Sequence, residues 1–122
     1  MITAFDHAHI YCGDMERMAA YFKDVFDATV VRREERMIRL GVKGTIVNLM
    51  PLDPKAEQFE TGKGRRGLDH LAFVATEIES TVEELKKKGV KMNAELKTMT
   101  GGTKVVFIDG PEGIRIELLQ RP

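Results

Sequence analysis

Apolar positions along this chain change period from two to about 3.6 and back, and the same succession then occurs a second time. Residues 3–12 are apolar and aromatic enough for a strand, which Gly13 ends. Met15, Met18, Ala19, Phe22 and Val25 follow at helix spacing, opposite Glu16, Arg17, Lys23 and Asp24. Residues 28–33, 36–42 and 45–50 read as strands, with Gly41 and Gly44 bracketing a turn. The first half is thus strand, helix, strand, strand, strand. A strand over 68–75 opens the second half. Thr76 and Glu79 have the spacing of a capping box, which predicts a helix with Ile78, Val82 and Leu85 inward and Gly89 as C-terminal cap. Strands over 90–96, 103–109 and 113–120 complete the second set. The polar stretch 52–67, with Pro54 and its glycines, joins the halves.

The two halves also echo one another in residue type. FDHAHIYCGDMERMAAYFKDVFD (5–27) and LDHLAFVATEIESTVEELKKKGV (68–90) each begin apolar-Asp-His, and each has an acidic residue seven positions after the His. Repetition on this scale points to a duplicated module. A twofold-related pair of strands can bring His7 and His70 to one place, and two converging imidazoles suggest a metal.

Strand parity sorts the remaining polar residues. Ile114, Ile116 and Leu118 make an all-apolar face for a helix, leaving Arg115, Glu117 and Leu119 opposite. Leu71, Phe73 and Ala75 leave His70 and Ala72 opposite; Val47 and Leu49 leave Asn48; Ala8 and Ile10 leave His7, His9 and Tyr11. The faces away from the helices therefore collect His7, His9, Asn48, His70, Arg115 and Glu117. Met15 and Met18 belong to the core, as does Cys12, read as a small buried hydrophobe.

Composition narrows the classes. The 122 residues suffice for one domain with a modest core, and 43% hydrophobic with 31% charged is ordinary for a globular chain. Nineteen basic residues balance nineteen acidic ones, which argues against a nucleic-acid partner. No apolar run is long enough to span a membrane. One cysteine and no leader-like start make the cytoplasm the expected compartment. Lys63, Arg65 and Arg66 form a basic run that either is solvated or holds phosphates.

FDHAHI, GLDHLAF, TGGTKVVFIDGPEG and GIRIELLQ, in this order and at these intervals, resemble the vicinal oxygen chelate superfamily. The resemblance implies an α+β fold in which two βαβββ modules form a half-open, eight-stranded barrel-like sheet. One glyoxalase-like domain would span 1–122, with module one at 1–51, a linker at 52–67 and module two at 68–122. It implies a divalent metal, Zn, Ni, Co, Mn or Fe(II), held by His7, His70 and Glu117. The fourth family position, usually Glu or Gln, falls on Asn48. Being one methylene shorter than Gln, Asn48 either ligates, reaches the metal through water, or stays off it. RRGLDH and the TGG segment look nearest to methylmalonyl-CoA epimerase, and the ligand pattern is also similar to that of glyoxalase I. The implied activity is that of a metal-dependent isomerase or lyase, in which a chelated substrate carbonyl gives an enolate. Glu117 and His9 are the candidate acid/base groups. The implied substrate is a small molecule such as a CoA thioester or hemithioacetal, and the implied assembly is a homodimer. The alternatives are an Fe(II) extradiol-type dioxygenase, against which Phe107 stands where a Tyr is expected, and a metal-free binding protein.

Overall fold

A computed structural model describes residues 1–57 and 61–122; residues 58–60 of the expected linker lie outside the described residues. The chain divides into two compact units, Met1–Glu57 and Gln58–Pro122. Unit one has the strand–helix–three-strand order that the apolar periodicity predicts, unit two follows it with the first strand after its helix split in two, and the fold is α+β.

Unit one runs β1 (His7–Cys12), α1 (Met15–Phe26), β2 (Thr29–Glu34), β3 (Met37–Val42) and β4 (Thr45–Pro51). Its sheet order is β1-β4-β3-β2, with β1 parallel to β4 and the other pairs antiparallel. The Asp14 carboxylate caps α1 by accepting from the Arg17 N–H at 3.0 Å. Met18, Ala19, Phe22 and Phe26 are buried, so the inner stripe ends on Phe26 rather than on Val25. The helix lies over β3 and β4, whose Ile38, Leu40, Val42, Val47 and Leu49 complete this core. Cys12 is buried, as expected. The first strand starts at His7 instead of residue 3. His7 already faces Ile46, next to the β3–β4 turn, so earlier residues have no β4 partner. That turn is Lys43-Gly44, both left-handed, and Gly41 lies inside β3 rather than at its end.

Unit two runs β5 (Leu71–Val74), α2 (Ile78–Lys87), β6 (Lys91–Met92), β7 (Lys97–Thr98), β8 (Lys104–Asp109), a 3₁₀ turn (Pro111–Gly113) and β9 (Arg115–Gln120). The sheet order is β5-β9-β8-β6, and β7 also pairs with β8. The strand expected over 90–96 is interrupted. Asn93 still bonds to the Phe107 carbonyl, whereas Lys97 already faces Val105. Four steps on one strand oppose two on the other, so residues loop out between β6 and β7. Counted as one interrupted strand, the pair restores the expected total of eight. Neither sheet closes on itself, as the half-open expectation requires.

The capping box does not form. Glu79 pairs with Lys104, and the free N–H of Ile78 is satisfied by the Gln120 side chain at 2.8 Å. Gly89 does end α2: with φ of 82° it lets Val90 N–H reach the Leu85 carbonyl and its own N–H reach that of Lys86. Ile78, Val82 and Leu85 are buried, with Val106, Ile108, Ile116 and Leu118 from the sheet. Among the described residues no helix is long and apolar enough to cross a membrane.

Candidate functional site

Strand alternation places His7, His9 and Tyr11 on the face of β1 away from α1. In the register His9 pairs with Asn48, and Asn48 with Arg39 on β3. One row across the unit-one sheet is therefore His9, Asn48, Arg39. His9 packs its ring against Tyr11 at 4.7 Å. Among the described residues Asn48 is the single polar residue in the buried set, at 6% exposure, and its Oδ1 has no hydrogen-bond partner. A buried, unpaired acceptor is costly and calls for a ligand or another explanation.

His7 has its own fixed partner. Its Nδ1 lies 2.7 Å from Asp6 Oδ2, and Arg39 approaches that oxygen at 3.7 Å. The His7 hydrogen bond, with Arg39, holds the Asp6 carboxyl below its usual range. Asp6 therefore accepts, and the imidazole donates through Nδ1.

In unit two His70 lies one residue before β5, rather than within the expected strand 68–75. Its Nδ1 is 2.8 Å from Asp69 Oδ2 and its Nε2 is 3.0 Å from Glu117 Oε2. Asp69 also accepts from the Gly62 N–H and from Arg115 Nη1, both at 2.7 Å. These donors, His70 foremost, then Gly62 and Arg115, hold its carboxyl far below the usual range. The Arg115 guanidinium stacks on Phe107 at 3.8 Å, and the same ring meets the His70 ring in a T-shaped contact, 5.1 Å between centroids. Glu117 is well covered, with its side chain 17% exposed.

The predicted residues thus gather in two sets, His7, His9 and Asn48 on one sheet and His70, Arg115 and Glu117 on the other. The registers relate the sets. The residue two beyond the histidine pairs with Asn48 in unit one (His9) and with Glu117 in unit two (Ala72). Asn48 and Glu117 therefore occupy the same place in their modules.

One pair of donors, His70 and Glu117, has a spacing that a divalent cation could bridge. Two donors each about 2.1 Å from one ion, at about a right angle, lie about 3.0 Å apart. The Nε2–Oε2 separation of His70 and Glu117 is 3.0 Å. A histidine that ligates through Nε2 commonly donates its Nδ1–H to a carboxylate, and both Asp-His pairs do so. Among the described residues, no group of three or more His, Cys, Asp or Glu side chains is placed to hold a metal ion.

Sequence reading missed Asp6, Asp69 and Arg39. The signal for the aspartates was present in the repeated Asp-His doublet, of which only the histidine was used. Arg39 was legible from parity, since Ile38, Leu40 and Val42 take the core face of β3. Lys63, Arg65 and Arg66 are exposed.

The glyoxalase/bleomycin resistance protein/dioxygenase superfamily model matches residues 4–118. Uncharacterized protein YwkD of Bacillus subtilis is 25% identical over 127 residues, covering 99% of each chain. A probable lactoylglutathione lyase of Synechocystis is 24% identical over 124 residues, covering 93% of this chain and 92% of its own. The genomically encoded fosfomycin resistance protein FosX of Listeria monocytogenes has a similar fold, with a TM-score of 0.81 at 19% identity over 100% of this chain and 96% of that one. A FosX structure with Mn(II) and sulfate superposes at 0.77, with 18% identity over 100% of this chain and 93% of that one.

Proposed function

The chain belongs to the glyoxalase/bleomycin resistance protein/dioxygenase superfamily, and from that premise we propose a metal-dependent isomerase or lyase of the glyoxalase or epimerase type. The observation that carries this reading is the 3.0 Å pairing of His70 Nε2 with Glu117 Oε2, backed by Asp69 on the other ring nitrogen. His7, His70 and Glu117 are the proposed ligands, and Asn48 the proposed fourth, neutral donor. A divalent ion, when bound, supplies Lewis acidity that makes the C–H beside a chelated substrate carbonyl easier to ionise. The chain's own groups then handle the proton. Glu117, through the carboxylate oxygen not turned to the ion, takes a proton from carbon, and a protonated His9, on the row beside Asn48, delivers another at the second position, both groups then being reset by exchange with solvent. Asn48 has no carboxylate with which to share that work. Small carbonyl compounds such as CoA thioesters or hemithioacetals are the proposed substrates, and the 1–122 domain is proposed to work as a homodimer. Support for a small-molecule role comes from the lyase named among its relatives.

An Fe(II) dioxygenase uses two histidines and one carboxylate, so Asn48 is compatible with it. Phe107 stands against it, because a phenyl ring held under Arg115 has no hydroxyl to offer.

The test is elemental analysis of untagged protein, as purified and after reconstitution with Ni, Co, Zn, Mn and Fe(II), beside a His70→Ala variant. About one metal per chain, lost in the variant, is expected. Turnover of a hemithioacetal or exchange of a CoA-ester α-proton would then fix the reaction, and oxygen uptake with catechols would favour the dioxygenase. No metal under any of these conditions refutes the proposal and leaves a binding protein.

A further inference from the structure

Each module contains an Asp that no motif of the sequence reading assigned a task. Asp6 and Asp69 immediately precede His7 and His70, and each meets the Nδ1 of its neighbour, at 2.7 and 2.8 Å. Each is in turn approached by an arginine. The arginines come from different places. In unit one it is Arg39 on β3, paired in register with Asn48; the equivalent residue of unit two, paired with Glu117, is Phe107. In unit two it is Arg115 on β9, whereas the strand residue facing His7 in unit one is Ile46. A feature simply copied by duplication would bring its arginine from equivalent strands. This one does not, so the Arg–Asp–His arrangement is built separately in each half.

We propose that Asp69 and Asp6 are positioning residues that hold the Nδ1–H of their histidines, leaving Nε2, which in His70 faces Glu117 at 3.0 Å, as the nitrogen for the metal, and that Asp69 is the stronger of the two. Neither aspartate touches the ion or the substrate in this scheme; each acts through its histidine. The inequality follows from the contacts. Asp69 receives three donors at 2.7–2.8 Å, and Arg115 is itself immobilised against Phe107. Its side chain is 33% exposed. Asp6 receives one close donor and one distant cation, and its side chain is 75% exposed. A carboxylate held on three sides has one orientation to offer the imidazole, whereas an exposed one competes with water.

The inference rests on the metal reading above, and the experiment separates the two. ¹⁵N-detected NMR of the metal-free wild type reads which ring nitrogen carries the proton. His70 is expected with Nδ1 protonated; a His70 whose Nδ1 is unprotonated overturns the proposal, whether or not metal binds. Calorimetric titration with Ni(II) alone then compares Asp69→Asn, Asp6→Asn and Arg115→Gln with the wild type. Loss of an orienting carboxylate commonly lowers metal affinity about 10–100-fold. That loss is expected for Asp69→Asn, a smaller one for Arg115→Gln, and the smallest for Asp6→Asn. Equal losses at Asp6 and Asp69 would overturn the ranking, and wild-type affinity in Asp69→Asn would overturn the role. Should wild type bind no Ni(II), the metal reading fails, and the tautomer measurement still decides the orienting claim.

Discussion

Replacing Asn48 by leucine should make the metal-free protein more stable. The substitution keeps the branched skeleton and removes the Oδ1 that is buried without a partner. A buried unsatisfied acceptor costs about 1–3 kcal/mol. With an unfolding entropy of about 2.1 cal/mol/K per residue over 122 residues, each kcal/mol moves the midpoint by about 4 °C, so the expected rise is about 4–12 °C. Because leucine's methyls are bulkier than an amide, Asn48→Val serves as the smaller companion. The assay is thermal unfolding followed by circular dichroism, on chelator-treated protein and again with Ni(II). Metal binding at 100 times Kd adds about 2.7 kcal/mol to the wild type. If Asn48 ligates, the leucine variant gains less, and the order of stabilities narrows or reverses when metal is present. The reasoning fails if both variants unfold below wild type without metal. Direct ligation fails if Ni(II) stabilises wild type and Asn48→Leu equally.

Three further outcomes follow from the packing and the ion pairs. Phe22→Ala, at a side chain that is fully buried between Tyr21 and Phe26, should cost about 3–5 kcal/mol in urea unfolding, against a total of about 5–15. Gly89→Ala should cost about 1–2 kcal/mol, a purely conformational loss, since φ is 82° and a Cβ there meets nothing within 4 Å; no change in midpoint would contradict the helix end described above. Lys104 holds the Glu79 carboxyl below its ordinary 4.5, so the pair's contribution is present above about pH 4.5 and lost as the pH falls through the lower folded value. Glu79→Gln should therefore fall below wild type near neutrality, modestly because the pair is exposed, and converge with it in acid or in 1 M salt.

Local pattern carried most of the fold. Apolar spacing located both helices because their buried stripes are set by the 3.6-residue period. Parity located the polar faces because alternation in a strand leaves a residue only two directions. Features that depend on a partner distant in sequence were not legible. The Thr76/Glu79 spacing satisfies the capping pattern, yet Gln120, 42 residues after Ile78, supplies the bond, and Lys104 takes Glu79. The split between β6 and β7 depends on where Asn93 and Lys97 fall against β8. His70 was assigned to a strand because LDHLAF is apolar around it, whereas β5 pairs with β9 only from Leu71, opposite Ile116.

The site was half legible for a related reason. Residue type and duplication are properties of the chain alone, so His7, His70, Glu117 and the odd Asn48 stood out. The contacts that tune them are properties of register. Asn48 and Glu117 hold equivalent places, yet one is an amide with an unpaired oxygen and the other an acid bonded to His70. A duplicated module that kept both carboxylates would place two negative charges on one divalent ion. With Asn48 the proposed ligand set carries a single negative charge, and the ion keeps more of its own. In the proposed site that surplus would stabilise the enolate formed from a neutral carbonyl substrate. The departure from the family pattern at Asn48 thus bears on how strongly the proposed site would stabilise an anionic intermediate, as well as on the number of ligands.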